Sequence, residues 1–169
     1  MKTKIIMSYY LKFLMIIFTF FVGCCLCANS QVGKLPPFQM MQVNNKLFKA
    51  QNLPMGKPIL IVYFSPECDR CEIFTKELVE KVSALKNTSI AMVTYYPVEN
   101  VSRFVNKFSL NRFANIYVGT EGDSLFLRGY YKIIELPFAA LYTKNGGFVK
   151  SYSKNIHLNN IINIIQKMK

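Results

Sequence analysis

The stretch from Ile59 to Cys71 reads ILIVYFSPECDRC and decides the fold. Its apolar first half, Ile59 to Phe64, predicts a strand that is buried on both faces of a sheet. After Cys71, apolar residues recur at the spacing of an amphipathic helix, at Phe74, Leu78, Val82 and Leu85. Cys68 and Cys71 therefore lie where a central strand passes into a helix.

Two cysteines in a CxxC spacing at such a junction are typical of a redox pair. On the first turn of the helix, Cys68 is close to unpaired backbone N–H groups and to the positive end of the helix dipole, and both favour its thiolate. The thiolate is the species that attacks disulfides. We therefore predict that Cys68 is the catalytic nucleophile and that Cys71, one turn further on, is the resolving cysteine.

The residues beside Cys68 carry charges that we expect to modulate the ionisation of its thiol. Asp69 disfavours the thiolate, as does any negative charge of Glu67, whereas Arg70 favours it. Known dithiol proteins span reduction potentials from about −270 to −120 mV. The opposing charges do not place the pair within this span, so both the reductant and the oxidant direction stay open.

A CxxC is also half of a zinc site, but zinc needs about four ligands. After the predicted cut at Ser30 the sequence has no second CxxC, and His157 is its one histidine. Dithiol chemistry is therefore preferred to metal binding or inert thiols, with no cofactor beyond a redox-active Cys68–Cys71 disulfide. The alternative function is a copper chaperone module that uses both cysteines and His157, because copper favours thiolate and imidazole ligands.

Residues 1–30 have the pattern of a signal peptide. Three lysines precede a short apolar run from Phe13 to Gly23, and a basic start followed by such a run is typical of secretory signals. The run is short for a membrane-spanning helix. An uncleaved anchor with a single span is the alternative.

Two cleavage sites compete in this segment. Small residues at Ala28 and Ser30 favour a cut that releases Gln31 as the new N-terminus. The sequence Phe21-Val22-Gly23-Cys24 resembles a bacterial lipobox, which would end the signal at residue 23 and attach lipid to Cys24. In both cases we expect an exported protein in the periplasm or cell envelope of a bacterium, attached to the membrane if Cys24 is lipidated.

Cysteine content and charge narrow the possible partners. A cut after Ser30 leaves Cys68 and Cys71 as the cysteines of the mature chain, which is one reactive pair and not a disulfide framework. The net charge of +12 makes nucleic acid a conceivable partner. The basic residues are scattered, however, and no nucleic-acid-binding motif is present, so we expect a solvated basic surface near anionic lipid and no nucleic acid.

The remaining sequence predicts a linker over residues 31–37 and one domain over residues 38–169. Asn44-Asn45-Lys46 predicts the turn of a leading β-hairpin, because asparagine tolerates the positive φ of tight turns. Asn145-Gly146 predicts a second hairpin. The periodicity also predicts strands at 89–95, 115–118, 139–142 and 148–152, helices at 99–109, 124–131 and from 158 onward, and a loop at 119–123.

This order of elements resembles the thioredoxin fold, and more closely the exported TlpA/ResA-like thiol–disulfide oxidoreductases, over residues 37–169. The marks are Gly56-Lys57-Pro58, the CxxC stretch, and Leu136-Pro137 ahead of the Asn145-Gly146 turn. The resemblance implies a three-layer α/β/α sandwich with an N-terminal β-hairpin and a central mixed sheet. It also implies a cis Pro137 facing the cysteines, with Leu136 and Pro137 binding substrate.

The same resemblance implies a monomer that exchanges disulfides with protein thiols and with an upstream electron donor or acceptor. The chain departs from the family in its charges: Glu67 replaces the aromatic residue before the first cysteine, while Val62 and Phe74 occupy positions that are acidic in relatives. The buried carboxylate that helps to deprotonate the second cysteine is therefore missing. Glu72 and Glu135 are the candidates to replace it.

Overall fold

The structure is a computed structural model, and it describes residues 33–168. The predicted signal, both cleavage sites and Cys24 lie outside the described residues. Within residues 33–168, no helix combines the length and the apolar character that crossing a membrane requires.

A seven-stranded mixed sheet forms the centre of the domain. Its order is β2-β1-β5-β4-β3-β6-β7, in which β3 pairs in parallel with β4 and β4 with β5, while the other pairs are antiparallel. The short β2 and the lysine-bearing β7 form the two edges. The strands are β1 (Gln39–Gln42), β2 (Leu47–Lys49), β3 (Ile59–Tyr63), β4 (Ser89–Thr94), β5 (Ile116–Thr120), β6 (Phe138–Tyr142) and β7 (Phe148–Ser153).

Four α-helices cover this sheet within the described residues. They are α1 (Asp69–Glu80), α2 (Val98–Phe108), α3 (Phe126–Tyr130) and α4 (Leu158–Lys167). Short 3-10 turns occupy Ala50–Asn52, Val82–Leu85, Leu110–Arg112 and Gly122–Ser124. The buried residues of α1, α2 and α4 pack on one face of the sheet and those of α3 on the other, which confirms the three-layer α/β/α prediction.

The alternation of side chains along β3 separates two hydrophobic cores. Leu60, Val62 and Phe64 belong to the first core, together with Cys71. Ile59, Ile61 and Tyr63 face the second core, which contains the inward residues of the N-terminal hairpin. Successive strand residues point to opposite faces of a sheet, so the fully apolar stretch is explained by burial on both sides.

Several element boundaries differ from the sequence prediction by one or more residues, and two of these differences have a clear structural reason. Gly119 and Thr120 continue β5 instead of forming a loop, because β1 pairs with both of them. A Cβ on Gly119 would lie 2.7 Å from the Met41 carbonyl oxygen, so glycine permits this close approach. The helix after Cys71 ends at Glu80 and is followed by a 3-10 turn, because Lys81 leaves the helical conformation at φ −103° and ψ 13°.

Candidate active site

The end of β3 leads directly into the cysteine pair. Phe64 follows the strand, is fully buried, and donates its N–H to the Val93 carbonyl at 3.0 Å. Cys68 then caps the N-terminus of α1 with extended backbone angles. The parallel strands β3, β4 and β5 all end at this edge of the sheet, which is where α/β proteins commonly place their functional residues.

Cys68 and Cys71 are both free thiols, and hydrogen bonds join the two residues. The Cys71 N–H donates to Cys68 Sγ at 3.3 Å and to the Cys68 carbonyl at 2.9 Å. The Cys68 side chain is half-buried, whereas Cys71 is 0% exposed. An attacking partner can therefore approach the sulfur of Cys68 and cannot reach that of Cys71 from solvent.

The surroundings of Cys71 keep its thiol protonated. Burial raises the pKa of Cys71 well above that of an ordinary thiol, and the hydrogen bond with Cys68 raises it further. A backbone hydrogen bond at Ser65 and the charge of Arg70 act in the opposite direction without cancelling the rise. Low dielectric disfavours the charged form of a buried acid, so the raised pKa makes Cys71 ionise less readily than an ordinary thiol.

The Leu136–Pro137 peptide bond is cis, as predicted from the family resemblance. Pro137 precedes Phe138, which pairs with Tyr63 in the antiparallel register of β6 and β3. By the same register, Pro137 lies opposite the chain that leaves β3 for Cys68. Leu136 is half-buried and packs against both cores, so the two predicted substrate-binding residues lie at the same sheet edge as the cysteines.

The three charged residues that flank Cys68 are exposed. Glu67 accepts a hydrogen bond from the Tyr96 hydroxyl at 3.0 Å, and its N–H donates to Ser65 Oγ at 3.2 Å. The first bond joins the loop before the cysteines to the loop after β4, and the second lies within the loop before the cysteines. Asp69 and Arg70 lie on the first turn of α1, where an acidic residue is favourable for the helix dipole.

A small polar recess lies beside this loop. It has a volume of about 230 Å³, and its lining combines acidic and basic side chains of α1, α2 and the loop before Cys68: Glu67, Glu72, Arg103 and Lys107. Lys107 pairs with Glu72 across it. A polar side chain of a bound partner could therefore enter a recess that is lined by Glu67, the residue before Cys68.

Neither candidate replacement for the missing carboxylate lies against Cys71. Glu72 is in the ion pair with Lys107, and Glu135 pairs with Lys154 at 2.7 Å, both partly exposed. Neither carboxylate contributes to the pKa shift of Cys71. The first core thus surrounds the buried thiol with apolar side chains.

Sequence reasoning missed Glu121, the one buried carboxylate of residues 33–168, which is 8% exposed. It accepts hydrogen bonds from the Tyr63 hydroxyl at 2.7 Å and from the Leu127 N–H at 2.9 Å. These bonds join the ends of β3 and β5 to α3 on the second face of the sheet. The available signal was an acidic residue directly after a buried strand, which the prediction of a loop at 119–123 concealed.

Among the described residues, the structure does not bring a third metal ligand to the two cysteines, as the copper hypothesis would require. Residues 33–168 contain no group of three or more His, Cys, Asp or Glu side chains arranged to hold a metal ion. His157 is exposed and precedes the first residue of α4. The site offers a soft metal the two sulfurs of Cys68 and Cys71 and does not add the imidazole.

No family model and no curated protein matches the sequence. Solved structures match its fold. A secreted Mycobacterium tuberculosis disulfide oxidoreductase, homologous to E. coli DsbE, has 16% identity and a TM-score of 0.65, over 78% of this chain and 96% of that one. The exposed lipoprotein thioredoxin of Streptococcus pneumoniae has 19% identity and a TM-score of 0.58, over 78% of this chain and 99% of that one.

A third match comes from a copper protein. Arabidopsis thaliana ScoI, solved with copper bound, has 16% identity and a TM-score of 0.63, over 80% of this chain and 97% of that one. Together these similarities show that the chain has the thioredoxin-like fold. Its own free cysteine pair lies at the N-terminus of α1.

Proposed function

We propose that the protein is a thiol–disulfide oxidoreductase that exchanges disulfides with protein substrates through Cys68 and Cys71. The observation that carries this proposal is the asymmetry of the pair: Cys68 is half-buried at the helix N-cap, and Cys71 is buried 3.3 Å away, measured from its backbone nitrogen to Cys68 Sγ. The sulfur of Cys68 is open to a substrate, whereas the sulfur of Cys71 can react only with a disulfide already formed on Cys68.

In the reductive direction, the Cys68 thiolate attacks one sulfur of a substrate disulfide. The substrate S–S bond breaks, a Cys68–substrate disulfide forms, and one substrate sulfur leaves as a thiolate. Cys71 then loses its proton and attacks the Cys68 sulfur, which releases the second substrate thiolate and leaves a Cys68–Cys71 disulfide. Two electrons have passed to the substrate, and the reverse sequence oxidises it.

Because the pKa of Cys71 is raised, its thiol needs a base before it can attack. No carboxylate contributes to the ionisation of Cys71, so the substrate thiolate expelled in the first step is the base that the proposal supplies for its proton. Attack by Cys71 therefore follows substrate binding and does not compete with it. This order of steps keeps Cys71 from reacting with external disulfides.

The backbone around Leu136 is the proposed docking segment. It precedes β6, whose pairing with β3 and β7 begins only at Phe138. An extended substrate segment can therefore pair with it as an added strand, which would lay the substrate disulfide over Cys68. Ile134 stands beside this segment and is 90% exposed. A large apolar side chain so exposed gains stability when a partner covers it.

The proposal includes export, as residues 1–30 predict. Secreted and lipoprotein forms among the proteins of similar fold support it. The intact mass of protein from its native host distinguishes lipid on Cys24, a start at Gln31 and an uncleaved chain. Recovery of the chain from Met1 onward would contradict export by cleavage.

Reduction of insulin by dithiothreitol tests the exchange activity. Wild type should accelerate the reaction, Cys68→Ser should abolish the acceleration, and Cys71→Ser should accumulate a mixed disulfide that mass spectrometry detects. A Cys68→Ser variant with full activity would overturn the proposal.

Copper binding is the second candidate function, and the similarity in fold to ScoI favours it. Titration of the reduced protein with Cu(I) tests it, with His157→Ala as the comparison. A site that requires both thiols and His157, in a protein without insulin activity, would establish the copper function in place of exchange.

A further inference from the structure

A second pocket lies at the edge of the sheet opposite the cysteines. It has a volume of about 550 Å³ and is lined by Gly56–Pro58 before β3, by residues between Ser83 and Thr88 before β4, and by the end of α4. Pockets that hold small molecules are typically about 300–1,000 Å³. The strands that end at the redox pair begin here, so the pocket is separate from the site described above.

The charged residues that line this pocket all carry one sign. Lys57, Lys86 and Lys144 line it, and no acidic residue does. Among residues 33–168, the ion pairs involve other lysines. The three ammonium groups therefore create a positive potential that no carboxylate of the pocket compensates, which favours an anionic ligand.

Thr88 provides a second, independent observation. It lines the pocket and is 0% exposed, and its side-chain hydroxyl has no hydrogen-bond partner. Its backbone groups are satisfied, since the N–H donates to Leu85 and the carbonyl accepts from the Asn115 amide. Buried hydroxyl groups almost always have a partner, so a ligand atom is a suitable acceptor or donor for this one.

The rest of the lining is apolar. Ala84, Ile165 and Met168 form this part of the pocket wall. We infer that the pocket binds an organic phosphate ester: the lysines and the Thr88 hydroxyl take the phosphate, and the apolar wall takes the carbon part. Glycerophosphate has this chemistry, and it occurs both as a soluble ester and in the headgroup of anionic phospholipids.

Two probes distinguish these sources. Soluble glycerol 3-phosphate is titrated by phosphorus NMR line broadening, and vesicles of phosphatidylglycerol are compared with vesicles of phosphatidylcholine by co-sedimentation. Binding of glycerol 3-phosphate supports a soluble ester, and selective binding to phosphatidylglycerol vesicles alone supports a lipid headgroup. Binding to neither probe overturns the inference.

The substitutions Lys57→Gln, Lys86→Gln and Lys144→Gln, made together, should reduce binding at least tenfold. The matched control changes three exposed lysines elsewhere: Lys46, Lys76 and Lys150, each to glutamine. All variants keep the same N-terminal region and the two triple variants have the same net charge, so a difference between them reports the pocket. An equal loss in both triple variants would show general charge attraction and overturn the site.

Thr88→Val tests the hydroxyl at constant shape. Loss of a hydrogen bond to a charged group weakens binding by about tenfold, whereas the unliganded protein should unfold at the same temperature or higher, because an unpaired polar group has been removed. Unchanged affinity in this variant would exclude Thr88 from the site.

The lysines also lie near the end of α4, where positive charge is favourable for the helix dipole. A purely structural role predicts that the triple pocket variant is less stable without ligand and that glycerol 3-phosphate stabilises it as much as wild type. The proposed site predicts that stability without ligand is retained and that the stabilisation by glycerol 3-phosphate is lost.

Discussion

Cys71 and Glu121 are two buried acids at the same edge of one sheet, on opposite faces. Cys71 lies in the first core among apolar side chains, and burial raises its pKa. Glu121 lies on the second face, with hydrogen bonds from the Tyr63 hydroxyl and the Leu127 N–H. Glu121 has hydrogen-bond donors and joins neighbouring elements, whereas Cys71 has no carboxylate of residues 33–168 beside it and is proposed to react. We therefore expect that either residue can be changed with little effect on the role of the other.

Cys68→Ser is expected to have the largest effect. Exchange activity should fall by a factor of about 10³ or more, because the proposed nucleophile is lost, while the urea midpoint changes little, since Cys68 is only half-buried. Insulin reduction and urea unfolding measure the two quantities. Activity within tenfold of wild type would show that Cys71 can act alone and would contradict the assignment of Cys68 as the nucleophile.

Glu121→Ala should reverse this pattern. The free energy of unfolding should fall by about 2–3 kcal/mol, because the buried Tyr63 hydroxyl and Leu127 N–H lose their partner. Exchange activity should remain within about twofold of wild type under conditions where the variant is folded. Glu121→Gln retains an acceptor and serves as the control, with a smaller loss of stability. An inactive but folded Glu121→Ala protein would place the carboxylate in the redox chemistry.

Alkaline pH should weaken the folded, reduced protein through Cys71. Above about pH 8.5 the unfolded chain loses the Cys71 proton while the folded chain retains it, because the pKa is raised on folding. This contribution to stability is complete below the ordinary pKa of a thiol and declines by about 1.4 kcal/mol per pH unit above it, until the raised pKa is reached.

Urea unfolding between pH 7.5 and 10 measures this decline, with Cys71→Ala as the reference for all other titrating groups. The reference should lose less stability over the same range. Parallel curves for the two proteins would contradict the raised pKa of the buried thiol.

Ile134→Ser should have the smallest effect. The side chain is 90% exposed, so the free energy of unfolding should stay within about 0.5 kcal/mol of wild type. If substrates cover Ile134, kcat/KM for a protein disulfide should fall by about threefold to tenfold, which corresponds to about 1 kcal/mol of apolar burial. Leu47→Ser, at an exposed position of the hairpin, is the matched control; an equal fall in both variants would exclude a specific contact.

Much of this arrangement could be predicted from the sequence, because the deciding signals are local. The apolar run of β3, the helical stripe after Cys71 and the Asn-Gly turn each act over a few residues, and they predicted strands, helices, the second hairpin and the position of the cysteines. The three-layer arrangement came from the family resemblance. The family resemblance added the cis Leu136–Pro137 bond.

The features that were missed depend on contacts between distant residues. Glu121 is buried because Tyr63, 58 positions earlier, reaches it across the sheet. β5 extends to Thr120 because β1 pairs with it. The opposite pocket combines Lys57, Lys86 and Lys144, which are scattered charges in the sequence. Contacts between residues so far apart in the sequence leave no local pattern from which they could be predicted.

The two edges of the sheet have a consequence for how copies of the protein meet. β2 has three residues, and β7 carries Lys150 and contains a register shift of the β-bulge kind in its pairing with β6. Short edge strands, outward lysines and bulges discourage edge-to-edge pairing. We therefore expect a molecule that does not template its own aggregation in a crowded compartment. Because both edge strands discourage pairing, a substrate strand is left with the proposed docking segment around Leu136. The edges would then contribute to selectivity for disulfide partners.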